Sequence, residues 1–134
     1  MIMKIANRDV ARFFAARAVD IDGYGSMRAR NGFRDPNWSS LPPKLQKLMR
    51  ERRESISGVI LSYDTPIAWL DAGQWVIPAV SYSNTTGKHQ SYCRRDLPGY
   101  VEIPWDCALN EYDRVMNGHA KFVHTRTGMK SVAR

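Results

Sequence analysis

The fold is decided by residues 56–87, which read ISGVILSYDTPIAWLDAGQWVIPAVSYSNTTG. This segment contains no lysine or arginine, although the chain has 20 of them, and its charged residues are Asp64 and Asp71. Apolar and β-branched residues dominate it and turn residues interrupt it, which is typical of consecutive β-strands. The segment therefore predicts a buried sheet at the centre of the protein.

Three strands are predicted in this segment, at residues 59–63, 67–70 and 75–82, and a fourth at 100–105. Residues 71–74 have the composition of a hairpin turn. Pro78 and Pro104 cannot donate a hydrogen bond to a neighbouring strand, so their strands are predicted to be edges or to be bulged. The largest share of the core is expected from Ile60, Leu61, Trp69, Trp75, Val76, Ile77 and Val80.

Helices are predicted on both sides of this segment, from Asn7 to about residue 18, at 43–54, at 85–95 and at 107–116. Between the first two, residues 21–43 are rich in glycine and proline and predict a loop. The sequence thus predicts an α+β fold: an antiparallel sheet of three to five strands, from about residue 58 to 105, with the flanking helices on one face.

Length and charge predict how the chain is organised. At 134 residues it is predicted to form a single domain, residues 1–134. It divides into a basic helical region (1–55), the sheet-forming core (56–105), a helix (106–118) and a basic segment (119–134) that is either a strand or a flexible tail. The net charge of +7 is concentrated in the first region, which carries +6. A basic balance of this kind favours nucleic acid as a partner.

The basic side chains of the first region are the candidate binding site. They lie in the loop and on the second predicted helix, interleaved with aromatic residues that could stack on bases. The alternative is an ordinary solvated helix face with scattered ion pairs. The candidates for nucleic-acid or partner binding are Arg28, Arg30, Arg34, Lys44, Lys47, Arg50, Arg52, Arg53, Phe33 and Trp38.

A compound motif in the core carries a family resemblance. The residues SYDTPIAW are followed, after a short turn, by WVIPAVSYSNTTGKHQ. This pattern resembles a domain of unknown function found in small bacteriophage proteins, mostly of phages that infect actinobacteria. The matching positions span about residues 58–92. The resemblance implies a phage origin and no particular activity, and it makes nucleic acid and host proteins the leading partner classes.

A candidate anion site lies at the start of the third helix, at Thr85, Thr86, Lys88 and His89. Hydroxyls, a lysine and an imidazole at a helix N-terminus could hold a phosphate. Alternatively, Ser83 and Thr85 cap the helix while His89 and Gln90 form local hydrogen bonds.

Enzymatic and metal chemistry find little support in the sequence. No spacing of the three histidines and two cysteines matches a zinc site, so neither a metal nor a cofactor is predicted. The cysteines are expected to be free thiols. The carboxylates between Asp96 and Asp113 leave a nuclease as a weak alternative. The charged N-terminus does not resemble a signal peptide and no apolar run is long enough for a membrane span, so the host cytoplasm is the expected location.

The combined prediction is a small phage-encoded accessory protein that contacts nucleic acid, DNA rather than RNA, through the basic helix and the arginine-rich loop. The main alternative is a phage protein that binds and modulates a host protein, for host takeover or counter-defence. In that case Trp38, Phe33 and nearby arginines would anchor the interface, since Trp and Arg are enriched in interface hot spots. Self-association as a homo-oligomer stays open.

Overall fold

The computed structural model describes residues 2–134, and within them the chain forms nine strands and four helices. The strands are β1 (Met3–Ile5), β2 (Ile21–Gly23), β3 (Met27–Asn31), β4 (Ile56–Ser62), β5 (Thr65–Asp71), β6 (Gln74–Ala79), β7 (Val101–Pro104), β8 (Ala120–Thr125) and β9 (Gly128–Ala133). The helices are α1 (Asn7–Arg17), α2 (Pro43–Glu51), α3 (Asn84–Asp96) and α4 (Leu109–Met116). None of the helices in this described part is long and apolar enough to cross a membrane.

Strands β1 to β7 form one seven-stranded sheet in chain order, and β8 pairs with β9 in a separate hairpin. The four central pairings, β2 to β6, are antiparallel. Both outer pairings are parallel, β1 with β2 across α1 and β6 with β7 across α3. The α+β class fits, but the prediction of a purely antiparallel sheet of three to five strands is wrong, because the sheet is mixed and has seven strands.

Strands β1, β2 and β3 were not predicted; β1 lies before the first predicted helix, and β2 and β3 lie within the predicted loop at residues 21–43. Strands β1 and β2 have three residues each, too few to show an alternating pattern. Strand β3 contains two arginines, yet it pairs along its whole length with β4. Its backbone is ordered by a neighbour that the local sequence does not reveal. A strand of this kind forms because of its partner and not because of its own propensity.

Helices cover both faces of the sheet, which corrects the prediction that they cover one. Helices α1 and α3 pack on one face with residues such as Phe14, Ile60 and Trp75, here called the first cluster. Helices α2 and α4 pack on the other with residues such as Leu45, Trp69 and Tyr112, here called the second cluster. The sheet is therefore the middle of three layers and is apolar on both sides.

The β5–β6 hairpin, here called the central hairpin, contains several of the core residues that the sequence predicted. The turn between β5 and β6 places Ala72 at φ 48° and Gly73 at φ 82°, the left-handed pair that a tight hairpin requires, and it confirms the predicted turn. Six of the seven predicted core residues are buried. Val80 is half-buried because it follows the end of β6.

The two strand prolines lie in different positions. Pro104 lies in β7, at the edge of the sheet, as predicted. Pro78 lies in β6, which has neighbours on both sides, so the prediction of an edge strand is wrong there. Its missing N–H is tolerated because the paired residues of β6 and β5 extend only from Gln74 to Val76.

Residues 119–134, predicted as a strand or a flexible tail, contain the β8–β9 hairpin. Phe122 of β8 packs against the second cluster. The Ser131 hydroxyl of β9 donates a hydrogen bond to Glu111 of α4 at 2.8 Å. The hairpin is therefore fixed to the layer that contains α2 and α4.

Candidate nucleic-acid interface

Arg52, one of the predicted nucleic-acid contacts, is part of a buried ion pair. Its guanidinium donates two hydrogen bonds to the Asp71 carboxylate, Nε to Oδ2 at 2.8 Å and Nη2 to Oδ1 at 2.9 Å. The Tyr112 hydroxyl donates to Asp71 Oδ2 at 2.6 Å and accepts from Trp69 Nε1 at 3.2 Å. Asp71 is completely buried. The network joins the end of α2 to β5 and α4, so Arg52 holds the fold together.

The electrostatics of Asp71 reflect this arrangement. Burial alone would raise the pKa of its carboxyl, but hydrogen bonds from Arg52, Tyr112 and Ser55 outweigh burial and leave the pKa below its usual value. Burial and the bond to Asp71 raise the pKa of Tyr112. The carboxylate is therefore charged at neutral pH and the phenol is neutral.

Arg30 also has a structural role. Its side chain is nearly buried, and it donates to the carbonyl oxygens of Ile21 and Ala29 at 3.0 Å and to the Asp22 carboxylate at 2.6 Å. These contacts join β3 to β2. The neighbouring Arg28 is exposed and pairs with Asp64 at 3.2 Å. Arg30 is thus unavailable to a partner. Arg28 and Asp64 are both exposed, so a partner can displace their salt bridge.

The other predicted cations lie on α2, in the loop before it and just after its end. Arg50 pairs with Asp35 at 3.3 Å and donates to Asn37, and Lys47 lies 4.0 Å from Glu51. Three further side chains are exposed and form no salt bridge within residues 2–134: Arg34, Lys44 and Arg53. These three are the part of the predicted site that remains free to bind phosphate.

The two aromatic candidates differ in accessibility. Trp38 is fully exposed, at 101% of its reference area, and has a left-handed backbone with φ 65°. Phe33 is half-buried and packs against the second cluster. Trp38 is therefore the side chain of this pair that is free to stack on a base or a partner surface.

The β8–β9 hairpin presents a basic surface that was not among the predicted binding residues, although its segment was predicted to be basic. Residues 119–134 contain no Asp or Glu and four lysines or arginines, all exposed. Lys121 pairs with Val132 and Lys130 with Val123, so both lysines lie on the same face of the ribbon, opposite Phe122. Arg126 lies at the turn. The excess of positive charge was visible in the sequence, but the hairpin pairing that places both lysines on one face was not.

The candidate anion residues are not brought together. Thr85 and Lys88 are exposed, whereas Thr86 and His89 are buried against the sheet. Ser83 caps α3 by accepting a hydrogen bond from the Thr86 backbone N–H at 3.3 Å. Thr86 and His89 instead contact Ser62, whose hydroxyl lies 3.2 Å from Thr86 Oγ1 and 2.7 Å from His89 Nδ1. This forms a chain of three side chains between α3 and β4.

The His89 imidazole in this group of three side chains is neutral at pH 7, because burial and the nearby Lys88 lower its pKa. When the pKa of a base is lower in the folded state than in the unfolded state, the unfolded protein binds the proton more readily. Lowering the pH therefore favours unfolding. We expect wild-type stability to fall as the pH decreases from about 7.5 through the ordinary histidine range. Urea denaturation at successive pH values measures this. His89→Gln should lack this component, whereas a variant of the exposed His124, His124→Gln, should retain it. Equal slopes for His89→Gln and wild type would contradict the assignment.

The groups considered for metal or nuclease chemistry are dispersed. Among residues 2–134 there is no group of three or more His, Cys, Asp or Glu side chains placed to hold a metal ion. Asp96 pairs with Arg95, and Glu102 with Arg94. Both cysteines are buried free thiols, and burial raises the pKa of each to about 12.

Comparisons with known proteins give a family and no function. No curated protein and no solved structure matches the chain. A family model described as a family of unknown function, DUF8033, matches residues 8–94, which extend from α1 into α3 and include the whole of the central hairpin. The protein therefore belongs to the DUF8033 family.

Proposed function

We propose that this protein is a small phage-encoded accessory protein that binds nucleic acid, preferentially DNA, in the host cytoplasm. The observation that carries the proposal is the β8–β9 hairpin, a two-stranded ribbon whose side chains include three exposed cations and no Asp or Glu. A ribbon of this size fits the major groove of B-DNA, which is about 12 Å wide. The phage origin rests on the residue pattern of the central hairpin and α3.

The free cations of the first region support the same proposal. Phe122 of the hairpin packs on the second cluster, which also includes α2, so the hairpin lies on the same side of the sheet as Lys44 and Arg53. Cations on one side of a domain can neutralise several phosphates of one duplex. Arg30 and Arg52 are excluded from this surface because their guanidinium groups are bound to Asp22 and Asp71.

Fluorescence anisotropy with a labelled duplex, at 50 and 200 mM salt, tests the proposal. The variants Lys121→Ala/Lys130→Ala and Arg34→Ala/Lys44→Ala/Arg53→Ala should each bind more weakly. Each lost phosphate contact should reduce the slope of log affinity against log salt by about 0.9. A single strand of the same length and a duplex RNA establish the preference for duplex DNA.

The matched control is Arg8→Ala/Lys88→Ala, which removes two exposed cations from α1 and α3 on the other side of the sheet. This variant should keep the wild-type slope. Absence of binding at 50 mM salt rejects the proposal. An equal loss in the control and the hairpin variant would show that net charge alone attracts DNA.

Trp38 favours the second candidate function, binding and modulation of a host protein. Trp38 is fully exposed, and Trp is enriched in interface hot spots. If Trp38 anchors a host protein, a complex recovered from host lysate should survive 500 mM salt and be lost with Trp38→Ala. A complex that salt dissolves, or that Trp38→Ala retains, would contradict this function.

A further inference from the structure

Three exposed aromatic side chains lie on neighbouring loops at one end of the seven-stranded sheet, and are here called the aromatic row. They are Tyr24 in the β2–β3 turn, Tyr63 in the β4–β5 turn and Trp38 in the loop before α2. Tyr24 is 72% exposed and Tyr63 is 60% exposed. Single apolar side chains on a surface need no explanation, but a group of them marks an interaction site.

The three loops are joined by hydrogen bonds. Strand β3 is antiparallel to both β2 and β4, so the β2–β3 and β4–β5 turns lie at the same end of the sheet. The Tyr63 backbone N–H donates to the Ser26 carbonyl oxygen at 3.1 Å, which connects these two turns. The Ser40 backbone N–H donates to the Thr65 hydroxyl oxygen at 3.0 Å, which connects the loop of Trp38 to the start of β5. Two strand spacings separate the two turns by about 10 Å.

Two members of the row have a backbone conformation that aromatic residues disfavour. Tyr63 has φ 49° and Trp38 has φ 65°, in the left-handed region that favours glycine and asparagine. Asparagine is the usual residue at the position of Tyr63 in a two-residue hairpin turn. Neither ring is buried, so packing does not offset the strain. Residues held in such conformations cluster at functional sites.

The two tyrosine rings are each held by a neighbouring side chain. The Lys4 ammonium lies 5.8 Å from the centroid of the Tyr24 ring. The ring of the buried His89 stacks on the Tyr63 ring, with the centroids 6.4 Å apart and the planes inclined by 28°. Both tyrosines remain more than half exposed, so each ring keeps a surface that a planar ligand can reach. Rings that are oriented before binding lower its entropic cost.

The surroundings of the row favour nucleic acid over a protein partner. Lys4 is exposed and forms no salt bridge within residues 2–134, and the exposed salt bridge of Arg28 to Asp64 can be displaced by a phosphate. The residues beside the rings, 25–26 and 39–40, are glycine and serine, so the rings do not merge into the apolar patch that forms the core of a protein interface. Separate aromatic rings beside cations are typical of sites for unpaired bases.

We propose that the aromatic row binds single-stranded nucleic acid, with unpaired bases stacked on its rings and phosphates next to Lys4 and Arg28. A base inside a duplex is covered by its neighbours on both faces, so only an unpaired base can stack on these rings. The row shares no residue with the β8–β9 hairpin, which packs against α4. The single-strand site and the duplex surface can therefore fail independently.

Fluorescence anisotropy at 200 mM salt tests the proposal with a labelled oligothymidylate of ten nucleotides. The comparison strand is abasic and of the same length, so it keeps the phosphates and lacks the bases. Wild type should bind the oligothymidylate at least about fivefold more tightly, the effect of a single base–aromatic stack. An oligouridylate of the same length shows whether RNA is accepted. Absence of binding, or equal affinity for the strands with and without bases, would overturn the proposal.

Variants of the row test which side chains stack on the bases. Tyr24→Ala, Trp38→Ala and Tyr63→Asn should each bind the oligothymidylate at least about fivefold more weakly and leave affinity for the abasic strand unchanged. Tyr63→Asn should also melt at or above the wild-type temperature, because asparagine accepts the left-handed backbone, so unfolding would not explain its weaker binding.

The matched control is Trp105→Ala, which removes an exposed aromatic side chain beyond β7, at the far edge of the sheet. It should keep the wild-type affinity for both strands. Lys121→Ala/Lys130→Ala, which alters the hairpin, should keep the preference for the strand with bases. Wild-type binding by all three variants of the row, or an equal loss with Trp105→Ala, would contradict the assignment of base stacking to the row.

Discussion

Replacing Asp71 with alanine is expected to lower the free energy of unfolding by about 3 kcal/mol or more, within the 3–5 kcal/mol seen when one partner of a buried ion pair is removed. The substitution leaves the Arg52 guanidinium without its bidentate partner and the Tyr112 hydroxyl without its acceptor. The effect should lie toward the lower end because the Arg52 side chain is 25% exposed, so water can solvate part of the orphaned charge. Urea denaturation at pH 7 measures the loss.

The matched control is Asp113→Ala, which removes the other carboxylate near Arg52. Asp113 lies 3.4 Å from Arg52 Nη1 and is 42% exposed, so its loss should cost no more than about 1 kcal/mol. Similar losses of unfolding free energy for the two variants would show that the buried carboxylate contributes no more stability than the exposed one.

The loss of stability at low pH provides a second test of the role of the Asp71 carboxylate. The pKa of Asp71 is lower in the folded state, so its contribution is fully present above the usual value of 3.8 and is lost as the pH falls through the folded-state pKa. Wild type should lose stability below about pH 4 faster than Asp71→Asn.

Replacing Trp69 with alanine is expected to cost about 3–5 kcal/mol. Trp69 is completely buried in the second cluster, where β5 meets α4, and alanine would leave a cavity that the surrounding strands cannot close. The Tyr112 hydroxyl would keep its bond to Asp71, so the loss arises mainly from packing. The midpoint of urea unfolding, with an unchanged m-value, measures it.

Trp38→Ala provides the control because it removes the same side chain from a fully exposed position. Its effect on stability should stay within about 0.5 kcal/mol. A cost for Trp38→Ala close to that for Trp69→Ala would mean that Trp38 packs against the protein in solution.

The central hairpin could be predicted from local sequence because each of its signals is short-range. Apolar residues, a glycine at the tight turn and the flanking polar segments are all within a few residues of one another. The cap at Ser83 and the start of α2 at Pro43 are local signals of the same kind. Strands β1 and β2 gave no such signal, since their parallel pairing depends on the crossover through α1.

The candidate site was harder to predict because the sequence shows which residues are charged but not which of them form ion pairs. Arg52 and Arg53 are adjacent and look equivalent in the sequence. Arg52 binds Asp71, 19 positions away, whereas Arg53 is exposed. Which cation is structural depends on which carboxylate the fold brings next to it, and that is a property of long-range contacts.

The sequence by itself determined the α+β class, the central hairpin, the main helices and the excess of positive charge, because these depend on composition and on spacing within a few residues. Only the tertiary structure decided the seven-stranded mixed sheet, the assignment of Arg30 and Arg52 to the fold, and the placement of the aromatic row on neighbouring loops. The physical reason is the same for each. Strand pairing and burial join residues that lie far apart in the chain, and the energy of a charge or a hydroxyl depends on what it meets there.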